Sequence, residues 1–408
     1  GDLGITYDLD VLRLIDAFRG WGLYVGSVVI TKFKPSAVAE AFKQKLENLG
    51  LRVYKHYEID GYPHNISHIL SDDGFGRNEY AEATRSIVIV TAPGPGSGKM
   101  ATCLSQIYHE SKMGRKSGYA KFETFPIWNI PLNHPVNLAY EAATADLADV
   151  NMLDPFHLEA YGVTTVNYNR DVEVYPVLRS MLTGILGVCP YKSPTDMGVN
   201  MVGSCIFDNE AVSSAAEQEI IRRYYNALCN QRKGNGNDLE VSKIELIMQK
   251  LSIDVTKKRP CVVAAIAKAV ETDAPAAAIE LNDGRIVTGK TSSLLGPSSA
   301  AVLNALKMIA GIDKDTDVIS PEILEPIQKL KTEFLGNHNP RLHIEEVLIA
   351  LSVSAVKSQT AARAMEALDQ LRHCEAHSTV ILSQSDAQTF RKLGVNLSCE
   401  PKYQTKKL

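Results

Sequence analysis

The chain reads as an α/β protein of several domains: an N-terminal domain on a parallel or mixed sheet, a helical middle segment, and a separate C-terminal α/β domain. Three observations predict this. β-branched runs alternate with amphipathic helical stretches over residues 23–59, the pattern of a βαβ unit in a parallel sheet. Residues 86–102, SIVIVTAPGPGSGKMAT, have a P-loop-like layout of strand, glycine-rich turn and helix. Gly234-Asn235-Gly236-Asn237 interrupts the chain after a long helical pattern. A chain of 408 residues is also too long for a single core. The expected domains are 1–150, carrying the glycine-rich turn, 151–236, mostly helical, and 237–408.

Leu9, Leu12 and Ile15 are spaced for a helix over 8–18. Residues 23–31, LYVGSVVIT, follow as a strand. Phe42, Leu46 and Leu49 mark an amphipathic helix over 37–49, closed by Gly50. A strand over 51–59 completes the βαβ unit. Ile87, Val88, Ile89 and Val90 form the central strand, and Leu104 and Ile107 face a core from a helix over 100–113. YAKFETF, 119–125, is the next strand. Helices are expected over 136–150, 172–186 and 211–233. Asp154-Pro155 reads as a helix start, with His157 and Glu159 in the first turn rather than in a metal site. His64 and His68, four apart, lack further ligands.

Beyond the linker, helices over 241–251 and 260–272 lead to a hairpin over 277–288. A helix over 300–310 starts at Pro297-Ser298-Ser299. A strand at 318–320, helices from Pro321 and over 344–356 and 360–371, a strand over 379–383, a helix over 385–393 and a strand over 395–399 complete the chain.

Composition narrows the function. With 45% hydrophobic and 22% charged residues the chain is ordinary for a globular protein, and its net charge of −4 argues against a nucleic acid or membrane surface held by bulk charge. No apolar run is long enough to span a bilayer. The opening GDLGITYDLD is not a signal peptide, and the 7 cysteines are scattered without a CxxC, which suits a reducing cytoplasm. The first residue is Gly rather than Met, as in a fragment.

The chemistry is expected at residues 94–102. A glycine-rich turn running into a helix aims backbone N–H groups at one point. Gly94, Gly96, Ser97, Gly98, Lys99 and Thr102 are the candidate phosphate-binding residues, with Lys99 as the point charge. The nucleotide-binding pattern G-x-x-x-x-G-K-[ST] is imperfect here. Pro93 stands at the first glycine and Met100 at the hydroxyl that normally holds Mg²⁺, a role left to Ser97 or Thr102. The alternative is a tight strand-to-helix corner that binds nothing. GRIVTGKT, 284–291, matches the pattern to the letter, but Asn282-Asp283-Gly284 between apolar runs is a hairpin turn, so it is rejected.

Ligands of α/β sheets bind beyond the carboxyl ends of strands, which points to Glu123 and the loop after Phe125. Residues 190–201, PYKSPTDMGVNM, add Lys192, Ser193, Thr195, Asp196 and Asn200. Glu123, Lys192 and Asp196 are the candidates for base, charge partner or cation ligand. A solvated strand end and a plain turn are the alternatives.

The stretches TAPGPGSGKMATCLSQIYHE, KFETFPIWN, DPFHLEAYG, NYNRDVE and YKSPTDMGVNM resemble a bacterial family known as domain of unknown function 1846. The resemblance covers essentially the whole chain. It implies a cytoplasmic bacterial protein of several α/β subdomains and no particular activity. Family members carry a segment upstream of residues 1–5, so the resemblance implies that part of the first sheet lies outside this chain. The C-terminal domain more weakly resembles the cytidine-deaminase-like fold. Its zinc positions would fall at Pro297-Ser298-Ser299-Ala300, Glu322 and Glu325, which lack the ligand set, so neither zinc nor deaminase activity is expected.

The functional expectation is an enzyme that binds a phosphorylated small molecule or nucleotide, the latter with Mg²⁺. The alternative is a non-catalytic protein that binds an anionic metabolite or serves assembly, with an inactive deaminase-like domain. A homo-oligomer is a further expectation. Neither HExxH nor a serine-triad order supports a peptidase.

Overall fold

The computed structural model of the chain describes residues 6–94, 96–122, 126–147, 149–198 and 200–404. The architecture is mixed α/β, and the chain divides into two compact units. One holds Gly1–Pro131 and Asn151–Ser204, the other Leu132–Val150 and Cys205–Leu408.

The first unit opens with α1 (Tyr7–Gly20), β1 (Ser27–Ile30), α2 (Ala37–Asn48) and β2 (Arg52–Lys55). The expected βαβ unit is present: β1 and β2 are parallel, with Ser27 opposite Arg52 and Ile30 opposite Lys55. The Ser36 hydroxyl caps α2 by accepting the Ala39 N–H at 3.2 Å, and Gly50 follows it at φ 76°, in the left-handed region where glycine carries no Cβ penalty. Ile15, Leu46 and Leu51 form the small core between helices and strands.

The expected central strand is not formed. Among the described residues 86–90 join no ladder, and Ile87 and Ile89 are 81% and 85% exposed. A β-branched run favours a pleated, half-buried surface, and that preference acts only where a neighbouring strand supplies the surface.

After α3 (Ile66–Ile69) comes α4 (Lys99–Lys112), within a residue of expectation. Of the expected strand over 119–125, Lys121 makes one isolated parallel bridge with Gly198. Residues 123–125, and with them Glu123, lie outside the described residues. The chain leaves this unit for α5 (Pro135–Ala143) and returns with β3 (Asn151–Leu153), α6 (Pro155–Tyr161), β4 (Val166–Tyr168) and α7 (Asn169–Leu186). Leu104, Ile107 and Tyr108 of α4 pack with Tyr175, Met181 and Leu182 of α7 in this unit's main core.

In the second unit α5 packs with α8 (Asn209–Arg232) and α9 (Asp238–Lys250), burying Leu138, Ile220, Ala227, Ile244 and Ile247. The glycine-rich break at 234–237 is the corner between α8 and α9. Gly234 has φ 79°, and Asn237 caps α9 by accepting the Glu240 N–H at 2.7 Å.

Then come α10 (Val255–Lys258), α11 (Pro260–Thr272), the hairpin of β5 (Ala276–Glu280) and β6 (Ile286–Lys290), α12 (Pro297–Ile309), α13 (Pro321–Lys329), α14 (Ile344–Ala355), α15 (Gln359–Glu366), β7 (Glu375–Ser378), α16 (Gln384–Lys392) and β8 (Asn396–Cys399). The sheet order is β6-β5-β7-β8. β5 is antiparallel to both neighbours, and β7 and β8 are parallel.

Two expected strands move. Residues 318–320 form no strand; Val318 and Ile319 instead enter the core with α12 and α14. The strand expected over 379–383 lies just upstream as β7. Its sequence EAHS lacks an apolar run because its polar groups are bonded inside. Arg259 is wholly buried and donates to Glu375, to the carbonyls of Ala376 and Asn396 at 2.8 Å each, and to the Ser398 hydroxyl at 3.0 Å. His377 is wholly buried with Nδ1 2.9 Å from the Ser398 hydroxyl, and burial depresses its pKa. A guanidinium donates through a fork of five N–H groups, so Arg259, just ahead of α11, bonds β7 and β8 together.

Candidate functional site

The glycine-rich turn is built as a strand-free corner. Gly96 and Gly98 have φ 71° and 84°, values that disfavour any side chain. Gly94 sits where a Cβ would lie 2.8 Å from the Tyr7 hydroxyl, so α1 closes on the turn's backbone. The Thr31 hydroxyl donates to the Ser97 carbonyl at 3.0 Å and ties the turn to the end of β1. The Gly94 carbonyl accepts from the Ser97 hydroxyl at 2.6 Å and from Lys99 Nζ at 3.0 Å.

Gly98 is the N-cap residue of α4, and no side chain caps the helix. The first-turn amides are therefore open to an external acceptor, at the positive end of a helix of 14 residues. Lys99 is exposed at that end. Thr102 is not on this surface. It is 6% exposed and shares the inward face of α4 with Ser105, one turn on. Met100, in place of the P-loop hydroxyl, packs against the Leu104–Tyr175 core together with Cys103.

Lys192 and Asp196 are brought together, in a separate network. Asp196 Oδ2 accepts the Lys192 N–H at 2.7 Å and the Tyr161 hydroxyl at 3.0 Å, and that second bond raises the tyrosine pKa. Lys192 Nζ lies 5.3 Å from the centre of the Tyr161 ring. His157 Nδ1 is 2.9 Å from the Ser193 hydroxyl and 3.7 Å from Asp196 Oδ1. These are the residue types of a nucleophilic triad, but serine and carboxylate address the same ring nitrogen and Ser193 is fully buried, so no relay runs through the imidazole. The arrangement fastens a loop. Asp154, wholly buried, completes it by accepting the N–H groups of Phe156, His157 and Thr195 at 3.0, 3.1 and 3.1 Å, as a helix start should. Among the described residues, no hydrogen bond or ion pair joins this loop to the glycine-rich turn.

The second P-loop match is a hairpin, as its context predicts. Gly284 has φ 81° in the turn, and its N–H donates to the Leu281 carbonyl at 2.8 Å. Gly289 is needed for packing: a Cβ there would lie 2.1 Å from the Ala301 nitrogen, so α12 rests directly on β6.

Among the described residues there is no group of three or more His, Cys, Asp or Glu side chains able to hold a metal ion. Nor is any described helix long and apolar enough to cross a membrane. One polar constellation has no counterpart in the sequence reading: His343 Nδ1 lies 3.0 Å from Asp386 Oδ2. The only signals for it are two helix-start patterns, His-Ile-Glu-Glu at 343–346 and Ser-Gln-Ser-Asp at 383–386, which read as caps.

The architecture thus defines a mixed α/β protein of two units with a glycine-rich helix start on the first. The chain belongs to the bacterial family whose N-terminal model, domain of unknown function DUF1846, matches residues 1–252 and whose C-terminal model matches residues 257–408. It is similar to a UPF0371 protein of Streptococcus thermophilus, 58% identical over all of this chain and 82% of the relative. A UPF0371 protein of Streptococcus pneumoniae is 56% identical over the same shares.

Proposed function

We propose that the protein binds a phosphorylated small molecule or nucleotide at residues 94–99, with the phosphate on the first-turn amides of α4 and its charge met by Lys99. The observation that supports this reading is the uncapped start of α4 behind two left-handed glycines, with an exposed lysine as its first residue. Backbone donors already oriented by the fold bind an oxyanion without the reorganisation that flexible side chains require. Lys99 would exchange its bond to the Gly94 carbonyl for one to the ligand.

The binding side of the reading is stronger than the catalytic side. Lys192 and Asp196 are occupied in bracing their own loop, and the position of the Mg²⁺-holding hydroxyl is spent on Met100 in the core. Any Mg²⁺ at this turn arrives with the nucleotide.

The test is a thermal-shift comparison of the wild type and Lys99→Ala with nucleotides, sugar phosphates and inorganic phosphate, each with and without Mg²⁺. A ligand at one hundred times its Kd stabilises the native state by about 2.7 kcal/mol. The expected result is a rise in Tm for one ligand class that disappears in the variant. No shift with any phosphorylated compound sinks the reading and leaves the turn a structural corner.

A further inference from the structure

We propose that a cleft between α6 and α7, in the first unit, binds a small carboxylate that carries an aromatic body.

The cleft has a volume of about 600 Å³, within the range of small-molecule sites. Its apolar wall is Phe156 of α6 with Tyr175 and Pro176 of α7. The rings of Phe156 and Tyr175 meet at a centroid distance of 4.7 Å and an angle of 54°. Tyr175 is 1% exposed, and its hydroxyl donates to the Tyr191 carbonyl at 2.9 Å, so it gives the cleft a fixed ring and no donor. Phe156 is half-buried and Pro176 exposed, which leaves both with surface for a flat apolar body.

The rest of the lining comes from the same face of α7 and holds a single charge, Arg179. Arg179 is exposed, and among the described residues its guanidinium has neither hydrogen bond nor ion pair. It stands close to the aromatic wall: burial pushes the Tyr175 pKa up to about 12, and the charge of Arg179 opposes that rise. Two hydroxyls flank the guanidinium. Ser180 donates to the Pro176 carbonyl at 2.9 Å and Thr183 to the Arg179 carbonyl at 2.8 Å. Both protons are spent inside the helix, so toward the cleft these oxygens only accept. Arg179 is therefore the one charged donor, and its planar fork matches the two oxygens of a carboxylate. A second negative charge, as on a phosphate, would face lone pairs instead of donors. Charge and shape together select a monoanion with a ring: the carboxylate on Arg179, the ring against Phe156 and Pro176.

The experiment follows the backbone amides of Thr183 and Gly184 by NMR in the whole chain. It is run in a Lys99→Ala background, so that the glycine-rich turn does not contribute and the two sites stand or fall separately. Sodium phenylacetate is titrated beside benzyl alcohol, which keeps the ring without the charge, sodium acetate, which keeps the charge without the ring, and phenyl phosphate. Sodium chloride is the ionic-strength control. The expected result is a saturable shift with phenylacetate, at an affinity about tenfold above that of benzyl alcohol or acetate and no weaker than that of phenyl phosphate. In Arg179→Gln the phenylacetate affinity falls about tenfold, which corresponds to ~1.4 kcal/mol, while that of benzyl alcohol is unchanged. Arg179 is exposed and unpaired, so the variant folds as the parent does, and an unchanged Tm checks this. Amides that respond no differently to phenylacetate than to chloride overturn the proposal, as does a phenylacetate affinity unchanged in Arg179→Gln. Tighter binding of phenyl phosphate overturns the assignment to a carboxylate.

Discussion

The two glycine–lysine stretches of this chain invert the usual relation between motif and site. GRIVTGKT at 284–291 satisfies the nucleotide-loop pattern completely, yet Gly284 turns a hairpin and Gly289 admits a helix against the sheet. GPGSGKM at 94–100 violates the pattern twice, yet it has the left-handed glycines and uncapped helix that the pattern stands for. A motif is shorthand for a backbone conformation and the donors it exposes. What precedes and follows the residues decides whether that conformation forms.

The difference also predicts how each region responds to substitution. The packed unit around the second stretch should be the most sensitive. Arg259→Ala removes the wholly buried one of the two guanidinium partners of Glu375, the other being Arg222, and because Arg222 remains the loss should fall at the low end of the roughly 3–5 kcal/mol that breaking one side of a buried pair costs; denaturant unfolding measures it. Gly289→Ala places a methyl group on the α12 backbone and should cost about 1–3 kcal/mol, with binding of phosphorylated ligands unchanged. If Gly289→Ala abolishes phosphate binding while the fold survives, the rejected motif is the working one.

At the first stretch, Gly98→Ala forces a side chain into the left-handed region, for a loss of about 1–2 kcal/mol together with a weakened ligand response. Lys99→Ala should change stability by no more than about 0.5 kcal/mol, since the side chain is exposed, yet remove the ligand-induced rise in Tm.

The His343–Asp386 pair separates the units by pH. The folded-state pKa of His343 is raised, chiefly by its bond to Asp386, so its contribution is complete below the unfolded value of about 6.5 and is lost as pH rises through the raised value. Asp386 is pushed up by burial but lowered on balance by His343 and the Ile344 amide, so its contribution is present above about 3.9 and lost as pH falls through the lowered value. The Tm difference between wild type and His343→Gln should therefore be largest between about pH 4 and 6.5. A difference that grows above pH 8 contradicts the pairing.

Local chemistry made much of this architecture legible. Ser36, Asn237 and Asp154 announce helix starts because their side chains accept first-turn amides wherever the helix goes. Asp283-Gly284 announces a hairpin because φ 81° suits glycine in almost any surroundings. The amphipathic spacing of α2 and α4 requires only that some core exist on one side.

What the sequence by itself determined is therefore the set of elements closed by local bonds: the βαβ unit, the helix caps, the hairpin and the left-handed turn at Gly96 and Gly98. Tertiary structure alone decided which residues pair across distance. Ile87–Ile89 have every local preference for a strand and no ladder partner among the described residues, while Glu375–Ser378 have little such preference and lie at the centre of a sheet because Arg259 and Ser398 bond their polar groups. His343 and Asp386 meet only because two helices start at one point, and helix starts far apart in the chain carry no local mark of sharing it. A cap is satisfied within a few residues, so sequence encodes it; strand partners and converging side chains are settled by the free energy of burial over the whole fold.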